Sequence, residues 1–465
     1  MIAPFLLAAA LAEPAVHPTG TLVDGVATSA DPSQTYTLYL PSAYPGERRW
    51  PLLLVFDPRG RARSAAELFR PAAEQYGWIV VSSNDTRSDG PMEPNVKAMN
   101  ALWPEALTRF ASDPRRIYVA GFSGGAHLGW ILAEATGRVA GVIASGGRVI
   151  DRVEDGKTTF ASFAAAGRLD FNHRDTREVD RLFAARGLPH RVEYFEGGHQ
   201  WLPEPLARQA VGWMELVAMQ RQLRPADRAL VERLHAEDAA AAEALERDGD
   251  VLAAQRRWEA IARTFAGLTD TAEASRRAAR LAGSDAAAEA LRAEQRCDAW
   301  EDEKLAAVGG ELARIRDSER PPTLSRVLSV VGVGGIRKRA AEPGCTGAAA
   351  GRVLETIAVQ AGYYLTRDLF AAGRYRHAAV ALGLAVEVKP DNVVFNYNLA
   401  CARARSGDAG AAVAALQDAV RVGYRDLAAL EADADLESIR GEPGYRAAVE
   451  ALRAAGASGP PPTTP

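Results

Sequence analysis

Cysteine is scarce in this chain: Cys297, Cys345 and Cys401 are the only three in 465 residues, and none lies in the first half. A thiol nucleophile in that half is excluded, and so is a scaffold held together mainly by disulfides. Cys297 and Cys345 flank a stretch interrupted by proline and glycine and could pair in an oxidising compartment, with three idle thiols as the equal alternative. Runs of one charge are also missing. The formal net charge is −4 with no long Lys/Arg segment, so neither a nucleic-acid partner nor a polyanionic substrate is indicated.

Long apolar runs are absent beyond the first residues, and no segment reaches the ~18 residues that would span a bilayer. The opening MIAPFLLAAALA ends in the small-x-small sequence Ala10-Leu11-Ala12, the form of a signal-peptidase site, although no Lys or Arg precedes its apolar core. The expectation is a leader over residues 1–19 and export to a periplasmic or extracellular location, with a cytoplasmic protein as the alternative.

What is present is ordinary globular material, 48% hydrophobic and 25% charged, in a chain long enough for two or three compact units. From about 20 to 222, short β-rich runs alternate with helical ones: Thr35 to Leu40, Leu52 to Phe56, Trp78 to Ser82, Arg116 to Ala120, Val139 to Ala144, Phe160 to Ala165 and Arg191 to Phe195. Several are continuous apolar runs, as expected of strands covered on both faces. The pattern predicts an α/β domain with a mostly parallel, doubly wound sheet.

After Arg224 the composition turns to Ala, Arg, Glu, Asp and Leu at helical spacing, which places a boundary near 222–225 and predicts an all-α remainder. A helical linker domain is expected over 225–358, with 321–344 as a loop or irregular hairpin, and repeats with a cap over 359–455. The last residues, 456–465, read as a disordered tail. A period of 34 residues matches Leu365 with Leu399, Gly373 with Gly407, Ala378 with Ala412, Leu382 with Leu416 and Ala385 with Ala419. Units at 359–392 and 393–426 resemble the tetratricopeptide repeat, except that Gly362 and Asn396 stand where that pattern has an aromatic residue. Residues 249–268 look like a degenerate further unit. The resemblance implies a groove for a protein or peptide partner.

The chemistry concentrates at Gly121-Phe122-Ser123-Gly124-Gly125, a G-x-S-x-G sequence after a predicted strand and before a helical run. In such a turn the residues two before and two after the serine nearly touch, so both must lack bulk. Serine needs a base, and the base needs an acid. His199 fits the base: it follows a predicted strand in the loop FEGGHQW and comes last in chain order, while His173 and His190 are the competitors hardest to dismiss. Asp170, just past a strand end, fits the acid, with Asp175 as second candidate. Asn84, Asp85 and Arg87 follow another strand end, either to contact substrate or to brace a neighbouring loop. Trp201 either walls a pocket or belongs to the core.

On these residues, 20–222 resembles the α/β-hydrolase-fold esterases, especially the polyhydroxybutyrate-depolymerase-like and dienelactone-hydrolase-like branches. The resemblance implies Ser123 as nucleophile, Asp170 as acid, His199 as base and the Gly124 N–H as one oxyanion donor. It departs from the family at Asp57-Pro58-Arg59-Gly60, where many relatives have His-Gly. Pro58 has no N–H, so the second donor is expected at Arg59 or Gly60. Arg59, Arg61 and Arg63 could instead face an acidic substrate group or simply be solvated. The chemistry implied is hydrolysis of a small or polymeric ester without metal or organic cofactor. The alternatives are a peptidase or acyltransferase of the same fold, or a scaffold that binds through its repeats.

Overall fold

The computed structural model describes residues 17–45, 48–147 and 158–456; residues 1–16 of the leader expected over 1–19, and 457–465 of the tail expected over 456–465, lie outside them. The chain divides into two compact units, Met1–Leu291 and Arg292–Pro465.

Among the described residues the first unit is built on eight strands: β1 (Leu22–Ala27), β2 (Thr35–Tyr39), β3 (Trp50–Phe56), β4 (Ile79–Ser83), β5 (Ser112–Phe122), β6 (Val139–Ser145), β7 (Ala161–Gly167) and β8 (His190–Phe195). Their order in the sheet is β1-β2-β4-β3-β5-β6-β7-β8. β2 runs antiparallel to both its neighbours and all pairings from β4 to β8 are parallel, which is the α/β-hydrolase fold. The seven strands read from the sequence are present within a few residues of their expected ends. β1 was not among them, because it is a half-exposed edge strand whose register shifts between Val23 and Val26, so it carries no clean alternation.

Helices α1 (Ala62–Tyr76), α2 (Glu93–Thr108), α3 (Gly124–Thr136), α4 (His173–Ala184) and α5 (Glu204–Gln220) cover the two faces. The pleat of β3 sorts its side chains between them. Leu52, Leu54 and Phe56 pack with Leu102, Trp130 and Phe183 on one face. Leu53 and Val55 pack with Phe69, Trp78, Trp213 and Met214 on the other. Alternate residues thus enter separate cores, which is why the strand is apolar throughout.

This unit runs on to Leu291, beyond the boundary at 222–225 suggested by composition. Helices α6 (Arg228–Arg247), α7 (Val251–Thr264) and α8 (Ala272–Ala282) belong to it. Leu216 and Met219 of α5 pack with Leu230, Leu234, Trp258, Ile261 and Phe265. The guanidinium of Arg191 on β8, 4% exposed, is held by both carboxylate oxygens of Asp238 on α6 at 2.8 Å. The shift in composition marks the end of the sheet, not the end of the core. The stretch 249–268, expected as a degenerate repeat, contributes α7 to this unit.

Helix α9 (Asp285–Asp317) leads into the second unit, which continues with α10 (Leu324–Val331), α11 (Val333–Ala340), α12 (Gly344–Val359), a π-helical turn at Gln360–Leu365, α13 (Thr366–Ala371), α14 (Tyr375–Val388), α15 (Val393–Arg405), α16 (Ala409–Arg421), α17 (Leu427–Ala432) and α18 (Pro443–Gly456). The stretch 321–344, expected as a loop or hairpin, forms the two short helices α10 and α11 instead. Gly332, at φ 72°, closes α10 and opens α11. The β-branched residues Val327, Val331, Val333 and Ile336 are buried in the unit's core, and that burial outweighs their weak helix propensity.

The 34-residue period falls on two helix pairs, α13 with α14 and α15 with α16. Gly373 and Gly407 turn both pairs at positive φ, and the matched residues Ala378, Leu382, Ala385, Ala412, Leu416 and Ala419 are buried. Where the repeat pattern has an aromatic, Gly362 admits the ring of Phe395: a methyl at Gly362 would lie 2.6 Å from it. Cys297 and Cys345 are joined in a disulfide, and Cys401 is a buried thiol.

Asp238→Ala would leave the buried Arg191 with Glu193 as its remaining partner on the strand. A stability loss of about 3–5 kcal/mol is expected. All tryptophans except Trp300 lie in the first unit, so a lowered urea midpoint in tryptophan emission is the readout, and an unchanged midpoint would show that α6 does not complete the sheet's core.

Candidate active site

β5 ends at Phe122 and α3 begins at Gly124, leaving Ser123 on the turn between them with φ 53° and ψ −121°. That backbone conformation is sparsely populated for a residue with a side chain and persists only where its surroundings impose it. They do so here. A methyl on Gly121 would lie 2.2 Å from the carbonyl oxygen of Gly125, and one on Gly125 would lie 2.0 Å from that of Phe56. The turn therefore closes only with glycine at both positions, and closing it lifts the serine hydroxyl above the carboxyl ends of the strands.

The three residues singled out in the sequence meet there. Ser123 Oγ lies 2.9 Å from His199 Nε2, and His199 Nδ1 lies 2.9 and 3.1 Å from the two carboxylate oxygens of Asp170. With a carboxylate accepting at Nδ1, the proton sits on Nδ1 and leaves Nε2 to accept from the serine. Asp170 is fully buried and also accepts the Asn172 N–H at 2.8 Å. Its loop is fixed to that of the histidine through Arg168 N–H to the Phe195 carbonyl at 2.9 Å and Leu169 N–H to that of Gly197 at 3.0 Å. The rings of Phe122 and Phe171 flank the imidazole at 4.6 and 4.3 Å.

The rival candidates are engaged elsewhere. Asp175 lies in the first turn of α4. His173 stacks on Tyr194, and His190 is bound to the Leu188 carbonyl and Asp180.

The loop after β3 departs from expectation. The Arg59 N–H donates to Asp57 Oδ1 at 2.9 Å, and the Gly60 N–H donates to the Asp57 carbonyl at 3.1 Å. Both are turned into the loop and neither is presented as a second oxyanion donor: the Asp57 carboxylate, a stronger acceptor than water, holds the Arg59 N–H, and the Asp57 backbone carbonyl holds that of Gly60. Gly124 keeps its expected place. It is the first residue of α3, where helix geometry provides no intrahelical acceptor for its N–H. The amide of Asn84 donates to Thr35 Oγ1 at 3.1 Å, and Asp85 accepts the Thr35 N–H at 2.7 Å, so this pair ties the loop after β4 to the start of β2. Arg61 binds Asp57 and Arg63 binds Asp24. Trp201 packs on the core residue Phe69 and stands beside Phe122, whose ring flanks the imidazole.

The contacts of two residues escaped the sequence reading. Asp57, 1% exposed, accepts the Trp201 indole N–H at 2.8 Å and both Nε–H and Nη2–H of Arg61. Burial alone would raise its carboxyl pKa, but hydrogen bonds from Arg61, Trp201 and the Arg59 N–H outweigh it and hold the value below the usual range. The signal was a carboxylate ending an unbroken apolar strand. Gly146, at φ 52°, lies against the acid: a methyl there would stand 2.6 Å from Asp170 Oδ2 and 3.3 Å from His199 Nδ1. Its signal was the Gly-Gly pair closing a strand.

No family model matches the chain, and neither does any curated protein. Among solved structures it is similar to a thermostable esterase, at 19% identity over 40% of this chain with a TM-score of 0.34, and it spans 61% of that protein's length. It is also similar to the fluorophosphonate-binding serine hydrolase FphF of Staphylococcus aureus, at 12% identity over 42% of this chain and 99% of that one with a TM-score of 0.35. A third is Est1E from Butyrivibrio proteoclasticus, at 15% identity over 41% and 95% with a TM-score of 0.33.

Gly146→Ala should displace Asp170 or His199 and lower turnover by about 10-fold to 100-fold; wild-type turnover on a chromogenic ester would contradict this contact. For Asp57, a folded-state pKa below the unfolded value of about 3.9 means that its contribution to stability is complete above that value and lost as pH falls toward the folded one. Asp57→Asn should therefore melt below wild type at pH 7, by about 1–3 kcal/mol, with the gap narrowing below pH ~4. A gap that widened in acid would reverse the sign.

Proposed function

We propose that the first unit is a serine hydrolase that cleaves a carboxylic ester through an acyl-enzyme. The single observation that carries this reading is the hydrogen-bonded line from Ser123 Oγ through His199 to the buried Asp170, both links at 2.9 Å. Ser123 Oγ attacks the ester carbonyl carbon while its proton passes to His199 Nε2. Asp170 holds the ring's orientation and stabilises the imidazolium. The carbonyl π pair moves onto oxygen, where the Gly124 N–H meets the charge. Collapse restores the carbonyl, breaks the bond to the alcohol oxygen and hands that oxygen the proton from His199. Water then repeats the sequence on the acyl-enzyme, using the same base, and releases the acid. An ester is the least demanding substrate for this line, since an alkoxide leaves more readily than an amine anion.

The test is a chromogenic short-acyl ester together with a fluorophosphonate probe on the full chain. Wild type should turn over the ester and be labelled at Ser123, and Ser123→Ala should lose both, with kcat lower by about 10⁴-fold or more. Equal rates in the two proteins, with no labelling, would end the proposal.

A further inference from the structure

Acyl transfer through Ser123 leaves a full negative charge on the former carbonyl oxygen, and a single backbone donor is a thin complement to it. Around β3 the usual supply is spent. Pro58 has no N–H. The N–H groups of Arg59 and Arg61 go to the Asp57 carboxylate, at 2.9 and 3.3 Å, and that of Gly60 goes to the Asp57 carbonyl at 3.1 Å. What reaches the first turn of α3 comes instead from the segment after β4. Ser88 lies directly on Gly124: a methyl at Gly124 would stand 2.5 Å from Ser88 Cβ and 3.5 Å from its Oγ.

That segment is anchored residue by residue. Thr86 Oγ donates to the Asp57 carbonyl at 3.0 Å. The buried amide of Asn95 clamps Arg87, accepting its N–H at 2.8 Å and donating to its carbonyl at 2.7 Å. The Ser88 N–H donates to the Pro58 carbonyl at 2.8 Å. These bonds consume the backbone N–H of Ser88 and fix its Cα, leaving the hydroxyl as the group free to turn. It now donates to the exposed carboxylate of Asp89 at 3.1 Å, a bond that one rotation about Cα–Cβ releases.

We infer that the Ser88 hydroxyl is the second oxyanion donor, acting with the Gly124 N–H. The inference rests on the serine-hydrolase reading of the same site. As Ser123 Oγ bonds the carbonyl carbon and His199 takes its proton, the oxygen that gains the π pair accepts hydrogen bonds from Ser88 Oγ–H and Gly124 N–H. No proton changes owner at Ser88, which gives up its Asp89 partner for a stronger acceptor and regains it when the tetrahedral intermediate collapses.

Ser88→Ala in the full chain should lower kcat and kcat/KM together by about 10²-fold with KM unchanged, the mark of a bond made in the transition state. Ser88→Thr and Ser88→Val, equal in shape and different only in the hydroxyl, guard against a packing effect: threonine should keep most of the rate and valine should fall with alanine. Wild-type kcat in Ser88→Ala, or equal rates for threonine and valine, would overturn the assignment. Fluorophosphonate labelling separates the two readings. Complete if slower labelling of Ser123 in every Ser88 variant is the expected result, whereas an unlabelled wild type would remove the serine-hydrolase reading and this inference with it.

Discussion

His199 and Trp201, two residues apart in one loop, each hydrogen-bond a carboxylate that water barely reaches, and the site's geometry depends on those two anchors. Asp170, at the end of β7, holds the imidazole; Asp57, at the end of β3, holds the indole. A carboxylate removed from solvent is tolerated only when its oxygens are fully occupied. Asp170 meets this requirement with His199 and the Asn172 N–H, and Asp57 with Trp201, Arg61 and the Arg59 N–H. Each bond that satisfies an acid also fixes a loop. The histidine is thus positioned by strands on either side of β5, while β5 itself delivers the serine between them.

The second anchor has a chemical side effect. By drawing in the N–H groups of Arg59 and Gly60, Asp57 gives the loop after β3 rigidity in exchange for its backbone donors. The loop after β4 lies across the gap, tied to the first by the Thr86 and Ser88 hydrogen bonds. Two adjacent strand ends therefore form a single rim.

Much of this was legible in the chain before any coordinates. The glycines around Ser123 are forced by a backbone approach of about one atom's width, so the local sequence had to state it. The order serine, acid, histidine follows from topology, and unbroken apolar runs follow from burial on two faces. What was not legible depended on distant partners. Nothing local says that Asp57 faces Trp201 across 144 positions. The helices at 324–340 were hidden for a related reason: their valines and glycines argue against helix locally, and burial in a core assembled from residues on both sides of them in the chain reverses that preference.

The ion pair between Arg191 and Asp238 also defines what can be inherited as one piece. The guanidinium buried at the sheet's edge has one partner on its own strand, Glu193, and receives its two-pronged partner, Asp238, from across the compositional boundary. The sheet is therefore not portable by itself: shuffling it onto another helical partner would cost Arg191 its Asp238 and bare the outer side of α5 unless α6–α8 travelled with it. The piece that keeps these contacts together is the sheet with α1–α8.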